Sequence, residues 1–226
     1  MEAHRDMGFL PPVIKLTQFG SFNHEVSEIV KSPLTLDAIN SLENLRGYMG
    51  DCSRCKLHKE RTHMVFGEGN HQAELVFVGE APGRDEDISG RPFVGEAGNQ
   101  LTKIIENGMR LSRNDIYILN TVKCRPPKNR DPEKEEVESC LPFLKKQISL
   151  IKPKVICGLG RVAGQAMLGA DFKISKDRGK WFSFMDIPLM VTYHPAYLLR
   201  YPSAKRQVWD DVKMIMKHLG LEVKKS

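Results

Sequence analysis

The chain has 226 residues, 41% of them hydrophobic and 27% charged, with a formal net charge of +6. That length supports one sizeable core with an appendage, and the basic balance favours an acidic partner, nucleic acid first among them. No apolar run approaches membrane-spanning length, and the amino terminus lacks the basic-then-apolar order of a secretory signal, so a soluble, cytoplasmic protein with no membrane partner is expected. Five cysteines without a signal argue against a disulfide framework and towards metal or redox chemistry.

Residues 1–33 show no clean period and carry Pro11, Pro12 and Pro33, which predicts an extension of marginal order ahead of a single domain over 34–226. From Thr35 a helix is expected, with Thr35 as cap and Leu36, Ile39, Leu42 and Leu45 on one face, delivering Cys52 and Cys55 at its end. Residues 61–70 read as irregular. Leu75 to Val78 is a buried strand ended by Gly79, and a polar loop of about seventeen residues then leads to a helix near Ala97. Loops of that length inside compact domains are usually functional. Its one aromatic is Phe93, and its carboxylates include Glu80, Asp85, Glu86 and Asp87.

Gln100 to Met109 continues as helix, and Ile116 to Leu119 is a second strand ending at Asn120. A basic loop follows. Asp131 is a good helix cap with Pro132 in first position, and the helix it opens carries Cys140 and is expected to bend or restart at Pro142. Lys154 to Cys157 is a third strand, Arg161 to Leu168 a helix, 181–184 with 189–193 a hairpin whose second arm is a core strand, and 203–219 a closing helix.

This alternation predicts an α/β fold, a three-layer α/β/α sandwich around a central, mostly parallel four-stranded sheet. Ligands of open parallel sheets bind beyond the carboxyl ends of the strands. Glu80, Asn120, Gly158 and His194 follow the four strands, and three of them are side chains used in catalysis. Cys52 and Cys55, joined much later by Cys124 and Cys140, can supply four thiolates to one centre, zinc or a four-iron cluster. Cys157 lies in the apolar KVIC run and reads as core.

The set Cys52-x2-Cys55, GEAPGRDEDISGRPFVGEAG at 79–98, LNTVKCRPPKNRDP at 119–132, Cys140 and HPAYLLR at 194–200 resembles the family 4 uracil-DNA glycosylases, from about residue 50 to the carboxyl end. The resemblance implies a [4Fe-4S] cluster on Cys52, Cys55, Cys124 and Cys140, and no catalytic divalent metal. It implies hydrolysis of the N-glycosidic bond of deoxyuridine in DNA by a monomer, after the nucleotide has been flipped out of the stack. Phe93 resembles the residue that stacks on the base. Asn120 resembles the one that reads its edge, a carboxamide matching N3–H and O4. His194 resembles the histidine that donates to O2. Glu80, with Ala81 and Pro82, resembles the pocket floor, and Glu80 is a catalytic candidate that orients water, crowds C5 or stabilises the sugar cation. The better-known branch has an aspartate where this chain has Ala81.

DNA contacts are expected from Lys123, Arg125, Lys128, Arg130 and Arg200, with Lys205 and Arg206 beyond. Leu198 or Leu199 is expected either to wedge into the duplex or to pack the final helix. Two rivals share these residues: a relative that traps the abasic sugar through a histidine after the second strand, and a metal-bearing nucleic-acid module without chemistry. KCRPPKNRDP contains no histidine, which favours turnover.

Overall fold

The computed structural model describes residues 35–223. The extension over 1–33 lies outside the described residues.

Among the described residues the sheet has six strands in the order β1-β3-β2-β4-β6-β5. These are β1 (Glu68–Gly69), β2 (Leu75–Gly79), β3 (Tyr117–Asn120), β4 (Val155–Leu159), β5 (Trp181–Phe184) and β6 (Ile187–Thr192). The expected four-stranded core is its centre, where β3, β2, β4 and β6 are mutually parallel. The strand count is corrected to six because β1 and β5 add antiparallel edges. β1 spans only two residues, too few for any alternation to appear in sequence.

Side-chain alternation sends the strands to two cores. Val76, Val78, Leu119, Ile156 and Val191 pack on one face with helices α1 (Leu42–Met49) and α4 (Lys134–Ile151). Leu75, Phe77, Ile118, Cys157 and Met190 pack on the other with α3 (Glu96–Lys103) and α8 (Lys205–His218). Both faces are apolar because both are covered, giving the three layers. Cys157 is fully buried, as its apolar run implied.

Several boundaries move. α1 begins at Leu42, not Thr35, because Ser41 takes the cap and accepts from Asn44 N at 3.1 Å. The apolar residues before it are partly or fully buried all the same, from a turn at 36–38. Asp131 does not cap α4. Glu133 does, with the Glu136 carboxylate accepting from its N–H at 2.7 Å, and Asp131 is left to pair with Arg161. α4 runs unbroken through Pro142, which lies on the exposed face where water can serve the carbonyl the proline leaves unpaired. α3 starts at Glu96, within one residue of the expected Ala97, and Ile104–Met109 continues it as a π-helical stretch.

Gly158 lies inside β4, so Gly160, at φ +90°, takes its place at the strand end as the first residue of α5 (Gly160–Leu168). The long polar loop contains α2 (Arg84–Ser89), invisible to periodicity because its single aliphatic residue, Ile88, points to solvent. The remaining helices are α6 (Ile174–Asp177) and α7 (Pro195–Arg200).

Candidate active site

The carboxyl ends of the parallel strands open into a cleft of about 740 Å³. Glu80, Ala81, Pro82, Phe93, Asn120 and His194, all six residues expected to touch the base, line it. β2 delivers Glu80, β3 ends on Asn120, and β6 runs out two residues before His194, which caps α7.

Asn120 forms the floor. Its side chain is 1% exposed, and its Oδ1 has no hydrogen-bond partner among the described residues. A Cβ on Gly79 would collide with both this oxygen and the Phe93 ring. Glycine at 79 is therefore what lets the acceptor and the ring share one small space.

Phe93 is the wall. It is 5% exposed and adopts φ +53°, left-handed backbone that a phenylalanine avoids. A two-sided clamp holds it there. Glu86 accepts from the backbone N–H groups of Gly83, Val94 and Gly95, each at 3.0 Å. From the other side the Arg113 guanidinium donates to Pro92 O at 3.0 Å and Phe93 O at 3.2 Å, while Glu68 and Thr102 hold that guanidinium. Asp87, buried, accepts from Thr62 N and His63 N. Glu86 and Asp87, two of the loop's carboxylates, are thus its own scaffold.

His194 lies across from Phe93, ring centroids 5.6 Å apart. Its Nδ1 accepts from Ala196 N at 3.2 Å, which leaves the ring proton on Nε2. Burial, and secondarily the Arg200 charge, pull its pKa down to about 4, so the ring is neutral across the physiological range. Gly160 permits the approach, since a Cβ there would stand 3.0 Å from His194 Cβ.

Glu80 has an unexpected neighbour. Asp131 and Arg161 line the same cleft as Glu80 and form an ion pair. Burial first, then the Asp131 charge, raise the Glu80 pKa to about 7, with Arg161 opposing. Neither Asp131 nor Arg161 carried a sequence signal for this role; each read as the start of a helix.

The expected DNA contacts divide. Arg130 and Arg200 line the cleft, and Lys128 is exposed on the loop after β3. Arg125, half-buried, donates to Asn129 Oδ1 at 2.7 Å. Arg130 is committed to Glu136 at 2.7 Å and Glu133 at 3.2 Å. Lys123 is not a surface cation. It is 1% exposed, its Nζ donates to Asn120 O at 2.6 Å, and it stands against the cysteines. Leu198 is likewise buried at 1% and packs the core, leaving Leu199, 44% exposed, as the available wedge.

The cysteines assemble on the flank of the cleft. Cys55, Cys124 and Cys140 meet around Leu57 and Val122, close to Ala81, and all four are free thiols. Burial above all raises the Cys124 and Cys140 thiols, and the neighbouring cysteines add to the rise. Arg61, missed in the sequence because it reads as loop polarity, donates to Cys124 Sγ at 2.9 Å and to Cys52 O at 2.8 Å, and Arg54 donates to Cys52 Sγ at 3.4 Å.

These groups meet at the carboxyl ends of the parallel strands. The model of the uracil DNA glycosylase superfamily matches residues 66–213. A type-4 uracil-DNA glycosylase of Sulfurisphaera tokodaii is 44% identical over 78% of this chain and 84% of its own length. That of Archaeoglobus fulgidus is 43% identical over 78% and 92%, and that of Thermotoga maritima 46% over 72% and 86%. The chain belongs to the uracil-DNA glycosylase superfamily, within its type-4 branch.

The Glu80 pKa makes a stability prediction. Because the folded value lies above the unfolded one, holding Glu80 ionised in the cleft weakens the fold, an effect absent below about pH 4.5 and complete above about pH 7. Glu80→Gln should therefore be more stable than the parent at pH 8, by up to about 3 kcal/mol, with most of the gain gone at pH 5. Urea denaturation at the two pH values checks this; an equal gain at both would contradict it.

Proposed function

We propose that the cleft takes an extruded deoxyuridine and hydrolyses its N-glycosidic bond, so that the chain is a DNA repair glycosylase releasing uracil and leaving an abasic site. The observation that carries this reading is the buried, unpartnered Oδ1 of Asn120. A buried acceptor without a donor is costly unless a substrate supplies the donor. Uracil N3–H does, and the carboxamide's Nδ2 then meets O4. Cytosine presents an acceptor at N3 and a donor at C4, and is refused on both.

The chemistry follows from where charge develops. As the bond to the sugar breaks, the departing base gains negative charge, much of it on O2. A neutral imidazole with its proton on Nε2 donates a hydrogen bond to that oxygen and keeps the proton. One well-aimed donor of this kind lowers a barrier by about 3–4 kcal/mol. Phe93 covers the face of the base and keeps water from it. Glu80, with a pKa near neutrality, orients water towards the sugar carbon or offsets its positive charge. Leu199 fills the gap left in the strand, and Lys128 and Arg200 meet phosphates, so affinity falls steeply with salt.

Cys52, Cys55, Cys124 and Cys140 suit an iron–sulfur cluster. Their thiols are free, lie within range of one another's charge and receive N–H donors from Arg54 and Arg61, as cluster sulfurs do. Four thiolates suit either one zinc or a four-iron cluster, and metal content separates the two. When bound, the cluster supplies a structural staple between the segment after α1 and the loop after β3, whose first residue is Thr121. Lys123, between two of these cysteines and the carbonyl of Asn120, ties that staple to the pocket floor.

Two measurements test this. Incubated with a uracil-containing oligonucleotide in chelator and then alkali, the parent should yield scission at uracil and none at cytosine or thymine, while Asn120→Ala and His194→Ala should each lose about 100-fold or more in rate with DNA binding retained. Unchanged rates in both variants would overturn the assignment. Metal analysis of protein purified without oxygen should find about four irons and four labile sulfides per chain; one zinc would overturn the cluster.

A further inference from the structure

A ladder of three tyrosines climbs out of the cleft beside His194. Tyr193 and Tyr197 stack with centroids 4.6 Å apart and 23° between planes, and Tyr197 and Tyr201 lie 4.6 Å apart at 35°. Tyr197 lies in α7, Tyr193 two residues before its start and Tyr201 directly after its end, and the three rings stack in succession. Tyr193 and Tyr197 line the cleft, whereas Tyr201, just beyond α7, is 53% exposed and is the last rung.

The lower end is fixed. The Arg178 guanidinium covers the Tyr193 ring at 5.3 Å, and the same guanidinium is bound to Asp211, by Nε at 3.1 Å and Nη2 at 2.6 Å. Asp211 is 3% exposed and also accepts from Thr192 Oγ1 at 2.5 Å. A ladder anchored by a buried ion pair and open at the top is a preorganised aromatic surface. A ladder serving only to pack α7 would end in the core, as Leu198 does at 1% exposure; Tyr201 leaves its ring in solvent. Exposed Leu199 and Arg200 precede it, and exposed Lys205 and Arg206 follow.

We propose that Tyr201, carried on Tyr197 and Tyr193, is a stacking platform for the nucleobase adjacent to the extruded uracil on the same DNA strand. The inference rests on the reading of the cleft as the uracil pocket. A strand whose nucleotide enters the cleft must pass its mouth, where Arg200 lines the rim and Tyr201 follows directly in sequence. The neighbouring base, having lost its stacking partner to the pocket, regains one on Tyr201. An aromatic face accepts any base, so the platform adds affinity without sequence preference. It acts most strongly on single strands, where no complementary strand competes for the base.

The test uses single-stranded oligonucleotides with one uracil, in three forms: both neighbours intact, the 5′ neighbour lacking its base, and the 3′ neighbour lacking its base, with all phosphates retained. On the intact strand Tyr201→Ala should lower kcat/KM about tenfold, and Tyr201→Trp should restore or exceed the parent value. The parent should lose a similar factor when one particular neighbour lacks its base, and Tyr201→Ala should lose nothing further on that strand. A Tyr201→Ala protein as active as the parent on the intact strand would overturn the platform. So would losses that multiply independently on both modified strands, since a merely structural residue has no coupling to a single base. A parent that releases uracil from none of the three would contradict the pocket reading itself, a result distinct from failure of the platform alone.

Discussion

At the carboxyl end of β3 the side-chain oxygen of Asn120 is buried without a donor. A group left in that state costs a fold about 1–3 kcal/mol, and its surroundings keep it both dry and aimed. Lys123 fixes the Asn120 carbonyl from below, the missing Cβ of Gly79 opens the space above, and the Phe93 ring closes one side. His194 presents its Nε2 proton to the same volume, opposite Phe93. A donor–acceptor edge, a flat face and a second donor define an occupant that is planar and offers N–H beside a carbonyl. Uracil has that shape, and the kinship with type-4 uracil-DNA glycosylases points to the same occupant.

Holding Phe93 in left-handed backbone stores about 1–3 kcal/mol of strain at the wall of the cleft. The carboxylate of Glu86 and the guanidinium of Arg113 absorb it by satisfying consecutive backbone groups from opposite sides of the chain. The same division of labour recurs elsewhere: charged residues that look like reagents in the sequence act as framework. Asp87 ties the loop to residues 62 and 63, Asp211 anchors the tyrosine ladder through Arg178, and Lys123 supports the floor. Glu80, by contrast, faces the cleft with its proton affinity raised into the neutral range by burial and by Asp131.

How much was legible in the sequence depended on which physical rule governed each part. The four central strands are continuous apolar runs because both sheet faces are covered, so their existence and the residues at their carboxyl ends were readable, and Glu80, Asn120 and His194 followed from that. β1 and α2 were not, the one too short for a period and the other without an apolar stripe. Asp131 misled because Pro132 beside it mimics a helix start, whereas Glu133 and Glu136 form the capping box two residues on. Lys123 was counted as a phosphate contact from its charge alone; burial of a lysine between a carbonyl and a cysteine cluster has no local signature. Exposure also decided between Leu198 and Leu199, which sequence leaves equivalent.

The central claim is that Asn120 accepts the N3 proton of the base, and free bases test it without DNA, flipping or sugar chemistry. Uracil should inhibit excision competitively as product, whereas 3-methyluracil, which has the same face and both carbonyls but no proton at N3, should inhibit at least tenfold more weakly in the parent, with the difference lost in Asn120→Ala. Equal inhibition of the parent by the two bases would show that the buried oxygen is not what reads uracil.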